Sequence, residues 1–172
     1  MKVDRAVFRN LHLATAMTLV GLLFFSAQGL RSQDAKASFT LTLSAKTYEF
    51  RAGSAVKIEI VQKNTSKSAI DCSFQGFAGV NYLYHYDVRD EDGKLAEKVV
   101  RPHMELEPNY HHECDLSPGE SSSQSIALDM VYKLDQPGKY TVQVFRFDPD
   151  LTDAQGNPVK VLSNTITITI TG

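Results

Sequence analysis

Leu162-Ser163-Asn164-Thr165-Ile166-Thr167-Ile168-Thr169-Ile170-Thr171 decides the fold class. Ile166, Ile168 and Ile170 alternate with threonines, and a period of two is the mark of a strand with one buried and one wet face. Working back from the C-terminus, Tyr140, Val142 and Val144 face one way, and the apolar set then passes to Phe145 and Phe147. That change of parity predicts a β-bulge near Val144. Further upstream, Phe39, Leu41 and Leu43 alternate with polar residues, as do Tyr48 and Phe50, and Val56, Ile58 and Ile60. Ala69 to Phe74 reads as a short strand holding Cys72, and Gln75 to Asn81 as a loop. Tyr82, Tyr84, Tyr86 and Val88 are predicted to share one face of a strand. Asp90-Glu91-Asp92-Gly93-Lys94 is a hairpin turn, after which Leu95 to Val100 returns antiparallel. Pro102 and Pro108 break Arg101 to Glu113, Ser122 to Asp129 forms the next strand, and Met130 to Gln136 a short helical turn. Roughly seven to nine short strands, with turn signals between them and no long amphipathic helix, predict an all-β chain. The expected architecture is an antiparallel immunoglobulin-like β-sandwich, with a closed barrel as the alternative.

The chain has 172 residues, 42% of them hydrophobic and 22% charged, which suits one globular domain. Its net charge of −2 comes with no basic block, so nucleic acid is not an expected partner. Lys2, Arg5 and Arg9 precede the uncharged, mostly apolar run Leu13 to Phe25, and Ala27-Gln28-Gly29 places small residues where a leader is cut. This layout predicts a cleavable signal peptide over 1–29 and a mature domain over 36–172. The apolar run is shorter than the ~20 residues of a spanning helix, so membrane contact is expected only through the leader during export. The expected location is extracytoplasmic, either periplasmic or secreted. Cys72 and Cys114 both lie in the exported part, where thiols pair. Their bridge would close a loop of about 43 residues and add about 4 kcal/mol on the chain-entropy model.

Two stretches carry a resemblance. Ser117-Pro118-Gly119-Glu120, Ile126-Ala127-Leu128 and the run Tyr132 to Val144 resemble the E strand, E–F corner and F strand of bacterial secreted immunoglobulin-like domains. The non-catalytic N-terminal domain of deuterolysin-type metallopeptidases is similar there. Tyr86-Asp87-Val88-Arg89-Asp90-Glu91-Asp92-Gly93-Lys94 is similar to the central hairpin of that domain and of BsuPI-type proteinase inhibitor domains. The resemblance implies the sandwich fold and an inhibitor-like or prodomain-like role. Within it, Pro137, Gly138 and Tyr140 are expected to form a structural corner, the tyrosine hydroxyl tying back to the turn. His111-His112-Glu113-Cys114 lacks the second histidine of a zinc-binding HExxH, so peptidase activity does not carry over.

The residues that bear chemistry form no catalytic pattern. No GxSxG elbow and no phosphate-cradling glycine loop is present, and an enzyme is not expected. No cofactor is expected either. His103, Met104, His111 and His112 gather side chains that suit copper, which makes a metal-carrying loop an alternative reading. Asp148, Asp150 and Asp153 lack the order of a calcium loop. Phe77, Tyr82, Tyr84 and Tyr86 form the densest aromatic region and are the candidate binding aromatics, weighed against an inward structural role. The functional expectation is thus an exported, non-catalytic binding module that engages a partner protein or cell-surface ligand.

Overall fold

Phe39, Leu41 and Leu43 are buried and the residues between them are not, so β1 (Phe39–Ser44) has one face for a core and one for water. A computed structural model describes residues 36–77, 79–99 and 110–172 of the chain; the expected leader over 1–29, together with His103 and Met104, lies outside the described residues. Residues Ala35–Gly172 form one compact unit. After β1 come β2 (Glu49–Arg51), β3 (Lys57–Asn64), β4 (Ile70–Asp71), β5 (Phe74–Phe77), β6 (Val80–Asn81) and β7 (His85–Arg89). The chain continues with β8 (Tyr110–His112), β9 (Asp115–Leu116), β10 (Ser121–Ala127), β11 (Gly138–Thr152), β12 (Pro158–Leu162) and β13 (Ile166–Thr171).

Eight of these strands build two facing sheets. One runs β1-β3-β10, antiparallel throughout. The other is centred on β11, which carries β7 along one side and β12 then β13 along the other, with β2 parallel to β13 at the edge. The isoleucines of β13 and Ile58 and Ile60 of β3 meet in one core with Leu41, Val142 and Val144. Each such side chain contributes roughly 1.5–3 kcal/mol when fully buried. This is the antiparallel immunoglobulin-like sandwich that the alternation predicts. The two-stranded β4–β9 and the three-stranded β6-β5-β8 form two further short sheets.

Several local expectations need correction. Residues 95–99 form no returning strand; they make single bridges, Arg89 to Leu95 and Lys98 to Tyr132. The helical turn comes earlier than expected, at Leu128–Met130, because the Asp129 carboxylate accepts the Val56 N–H at 2.9 Å while Leu128 N–H reaches the Val56 carbonyl at 2.8 Å. Gln75 to Asn81 is a hairpin rather than a loop. Nor does β11 bulge at Val144. Its parity is unbroken, with Tyr140, Val142, Val144, Arg146 and Asp148 all buried. The irregularity lies opposite, where Val142 pairs with Ile166 but Phe145 pairs with Leu162, so the partner chain holds the extra residue. Ser163 fills that step: its N–H donates to the Val144 carbonyl at 2.8 Å, and its hydroxyl accepts the Val144 N–H at 2.9 Å. Asn164 next to it reaches the other sheet, taking the Leu43 N–H at 2.7 Å and donating to the Leu43 carbonyl at 3.1 Å.

Candidate functional site

The unbroken alternation of β11 has two consequences, one on each face. Inward, it carries Arg146 and Asp148 into the sandwich, at 5% and 0% exposure. Buried charge is tolerated only when fully partnered. Arg146 donates to Gln62 Oε1 at 3.0 Å and to the Asp71 carboxylate, and its guanidinium lies about 6 Å from the rings of Phe39 and Tyr84. The Tyr84 hydroxyl donates to the same Gln62 oxygen at 3.0 Å, and Gln62 Nε2 donates to the Asp71 carbonyl. Asp148 accepts from the Ser38 N–H and hydroxyl, both at 2.7 Å, and from the Asp150 N–H at 3.0 Å. Partial burial raises the Asp71 carboxyl pKa, but hydrogen bonds from Ser73 and the charge of Arg146 outweigh it and hold the group below its ordinary value. Burial pushes the Tyr84 and Tyr86 hydroxyls up. Among the described residues no buried side-chain polar atom lacks a partner, so this network reads as scaffold.

Outward, the same strand presents Phe145 and Phe147. Phe145 sits between its cross-strand neighbours His85 on β7 and Leu162 on β12. The His85 ring stacks on Phe145 with centroids 4.6 Å apart and planes 10° from parallel. Phe147 meets both rings edge-on, at 5.5 and 5.6 Å. The Lys160 ammonium stands 3.6 Å from the Phe145 centroid and has no carboxylate partner among the described residues. Phe147 on β11 is 43% exposed and Leu162 on the edge strand β12 is 52% exposed. Ordered aromatic rings that remain open to water, with a cation beside them, can take up apolar and π surface from a partner.

The structure brings some of the sequence-derived candidates together and scatters others. Cys72 and Cys114 form a disulfide, with Cα atoms 4.9 Å apart, and the Cys72 N–H donates to the Cys114 carbonyl at 2.8 Å. Tyr140 donates its hydroxyl to the Gln136 carbonyl at 3.1 Å, across the turn that holds Pro137 and Gly138. The aromatics Phe77, Tyr82, Tyr84 and Tyr86 do not share a strand face. β7 begins only at His85, because the Asn81 side chain accepts the Leu83 N–H and turns the chain there. Tyr82 is therefore exposed, Tyr84 buried, Tyr86 half-buried with its hydroxyl on the Asn81 carbonyl, and Phe77 half-buried on β5. His111 and His112 are exposed and successive on β8, so their side chains leave opposite faces. Among the described residues no group of three or more His, Cys, Asp or Glu side chains could hold a metal ion. Asp153 is occupied with the backbone of its own turn, accepting from Gln155 and Asn157, apart from the buried Asp148. The outer cluster on β11 is what the sequence reading missed. Its signal was Arg146 and Asp148 continuing the register of Val142 and Val144, which leaves Phe145 and Phe147 no place inside.

A concavity of about 670 Å³ lies at the C-terminal end of β7, lined by Asp90, Lys94, Leu95, Lys133, Asp135 and Tyr140 among others. Its charges are mixed, and Lys133 is already paired with Glu97.

Residues 44–171 match the family model of the flagellar collar protein C N-terminal domain. The chain belongs to this family. The match brings no link to the deuterolysin-type or BsuPI-type families that the 86–94 hairpin and the corner resemble. None of the curated proteins matches the chain. Among solved structures, the chain is similar to the CARDB domain of a Pyrococcus furiosus protein at 12% identity, covering 78% of this chain and 94% of that one with a TM-score of 0.42. It is also similar to a family 123 glycoside hydrolase from Clostridium perfringens at 10% identity, covering 78% of this chain but 28% of that one, with a TM-score of 0.39.

Proposed function

We propose that this chain is a non-catalytic, extracytoplasmic protein-interaction module that works in a flagellar collar. The observation that carries the reading is the family match across residues 44–171. The disulfide between Cys72 and Cys114 supports an oxidising compartment, and the ordered aromatic cluster on the outer face of the larger sheet supports binding rather than chemistry. The inhibitor-like or prodomain-like alternative rests on the hairpin and corner resemblance and would show as stoichiometric block of a secreted protease. Isolating flagella with their basal structures from the source cell, the chain carrying a chromosomal C-terminal tag, tests the reading. The expected result is co-purification of leader-free chain with the flagellar fraction. A chain found wholly in the cytosol with residues 1–29 still attached overturns it.

A further inference from the structure

We infer that the outer face of β7, β11 and β12 is a docking site for an acidic, apolar segment of a partner protein, with a carboxylate on Lys160 and apolar side chains laid across Phe145, Phe147 and Leu162. The inference deepens the interaction-module reading above and rests on it.

The face is built rather than incidental. Phe145 is fixed between the stacked His85 ring and the Lys160 ammonium, and Phe147 closes on both rings from the edge. Side chains already held in place lose little freedom when a partner arrives, so their exposed area converts efficiently into binding. Aromatic anchors at the centre of a patch are where such binding energy concentrates.

Charge complementarity selects the occupant. On β7 the neighbouring Asp87 is engaged by Arg89 in a two-pronged ion pair, Nε to Oδ1 at 2.7 Å and Nη2 to Oδ2 at 3.0 Å, and so offers no free charge. Lys160 is left as the uncompensated cation of the patch, on a chain whose net charge is −2. A second copy docking by two-fold symmetry would bring this patch against itself and one Lys160 towards another, which like charges oppose. An anionic membrane surface is read by clusters of roughly four to eight basic residues, which the patch lacks. A protein segment that sets Asp or Glu among aliphatic or aromatic side chains satisfies both the rings and the ammonium.

Leader-free chain labelled with 15N is titrated with two ten-residue peptides, one alternating Glu with Phe and Leu, the other carrying Lys in place of each Glu. The expected result is that only the Glu peptide shifts the resonances of His85, Phe145, Phe147, Lys160 and Leu162. Lys160→Glu should weaken that peptide at least tenfold and admit the Lys peptide, while Phe147→Thr and Leu162→Thr should each weaken it severalfold with unchanged melting. Equal binding of both peptides, shifts mapped to another face, or unaltered affinity in Lys160→Glu overturns the inference. Equal or better binding to anionic vesicles, or self-association abolished by Phe147→Thr, overturns it in favour of a membrane or a second copy. If tagged wild type co-purifies with flagella and Phe147→Thr/Lys160→Glu does so equally well, the docking face fails and the module reading stands. If wild type does not co-purify, the module reading itself fails.

Discussion

Arg146 on the central strand of one sheet donates to Gln62 Oε1 on the central strand of the other, at 3.0 Å and out of water. A charge-assisted bond thus crosses the sandwich core, and Asp71 anchors the same guanidinium from the side of the disulfide. The arrangement answers the alternation of β11: once Val142 and Val144 face inward, residue 146 must follow them, and a guanidinium there needs acceptors.

Arg146→Met is therefore expected to destabilise the fold by about 2 kcal/mol, read from urea unfolding. This is less than the ~3–5 kcal/mol of a fully buried broken pair, because the Asp71 carboxylate retains access to water. Gln62 keeps its bond from Tyr84, which also limits the loss. The double variant Arg146→Met/Asp71→Asn should cost less than the two single changes added together, since it removes both charges of one interaction.

Asp71, held by hydrogen bonds from Ser73 and then by the charge of Arg146, sets an acid dependence. The Asp71 carboxyl is held below its ordinary value in the folded chain, so the unfolded chain takes up the proton first as pH falls. Its contribution is complete above the ordinary carboxylate pKa of about 4 and fades as pH drops through the lower folded value. The stability gap between wild type and Asp71→Asn should be largest at neutral pH and should shrink at pH 3. A gap that is constant across this range would show that the carboxylate charge contributes nothing.

The disulfide closes a segment of 42 residues in sequence separation and ties β4 to β9. Replacing both cysteines with alanine is expected to lose up to about 4 kcal/mol on the chain-entropy model. The first backbone protection lost should be at Cys72 and Asn81, because Gln124 bridges these places, its amide on the Cys72 carbonyl and its oxygen accepting from Asn81 Nδ2. Hydrogen exchange with and without reductant measures it.

These relationships also mark how far the sequence could be read. β1, β13 and the first half of β3 were legible because each buries one residue in two and the buried ones there are apolar, and the cysteine pair was legible from compartment logic. The face of β11 was not, because the reading assumed that aromatic residues go in and charged ones out. Tyr140, Val142 and Val144 set a register that Arg146 and Asp148 keep, satisfied by Gln62, Asp71 and Ser38 from segments distant in sequence. Those partners are invisible in one dimension. The break before β7 was hidden for a similar reason: the Asn81 side chain, which turns the chain away from the Tyr82 register, looks like any polar loop residue in sequence.

Gly76 offers the last test, since two glycines near residue 78 suggested a loop and the chain there is a tight hairpin. A Cβ on Gly76 would lie 1.8 Å from the Val80 carbonyl oxygen and 2.8 Å from its carbon. Both are backbone atoms of the paired strand, so no side-chain rotation relieves the clash. Gly76→Ala should force β5 and β6 apart, costing about 1–3 kcal/mol, in the range of overpacked sites. Gly93→Ala, at a turn with open space around it, tests the contrast: its φ of 76° carries a backbone penalty alone, of roughly 1–2 kcal/mol, with no displaced neighbour. Loss of exchange protection at Tyr82 N–H, which donates to the Gln75 carbonyl at 2.7 Å, should accompany the first substitution and not the second.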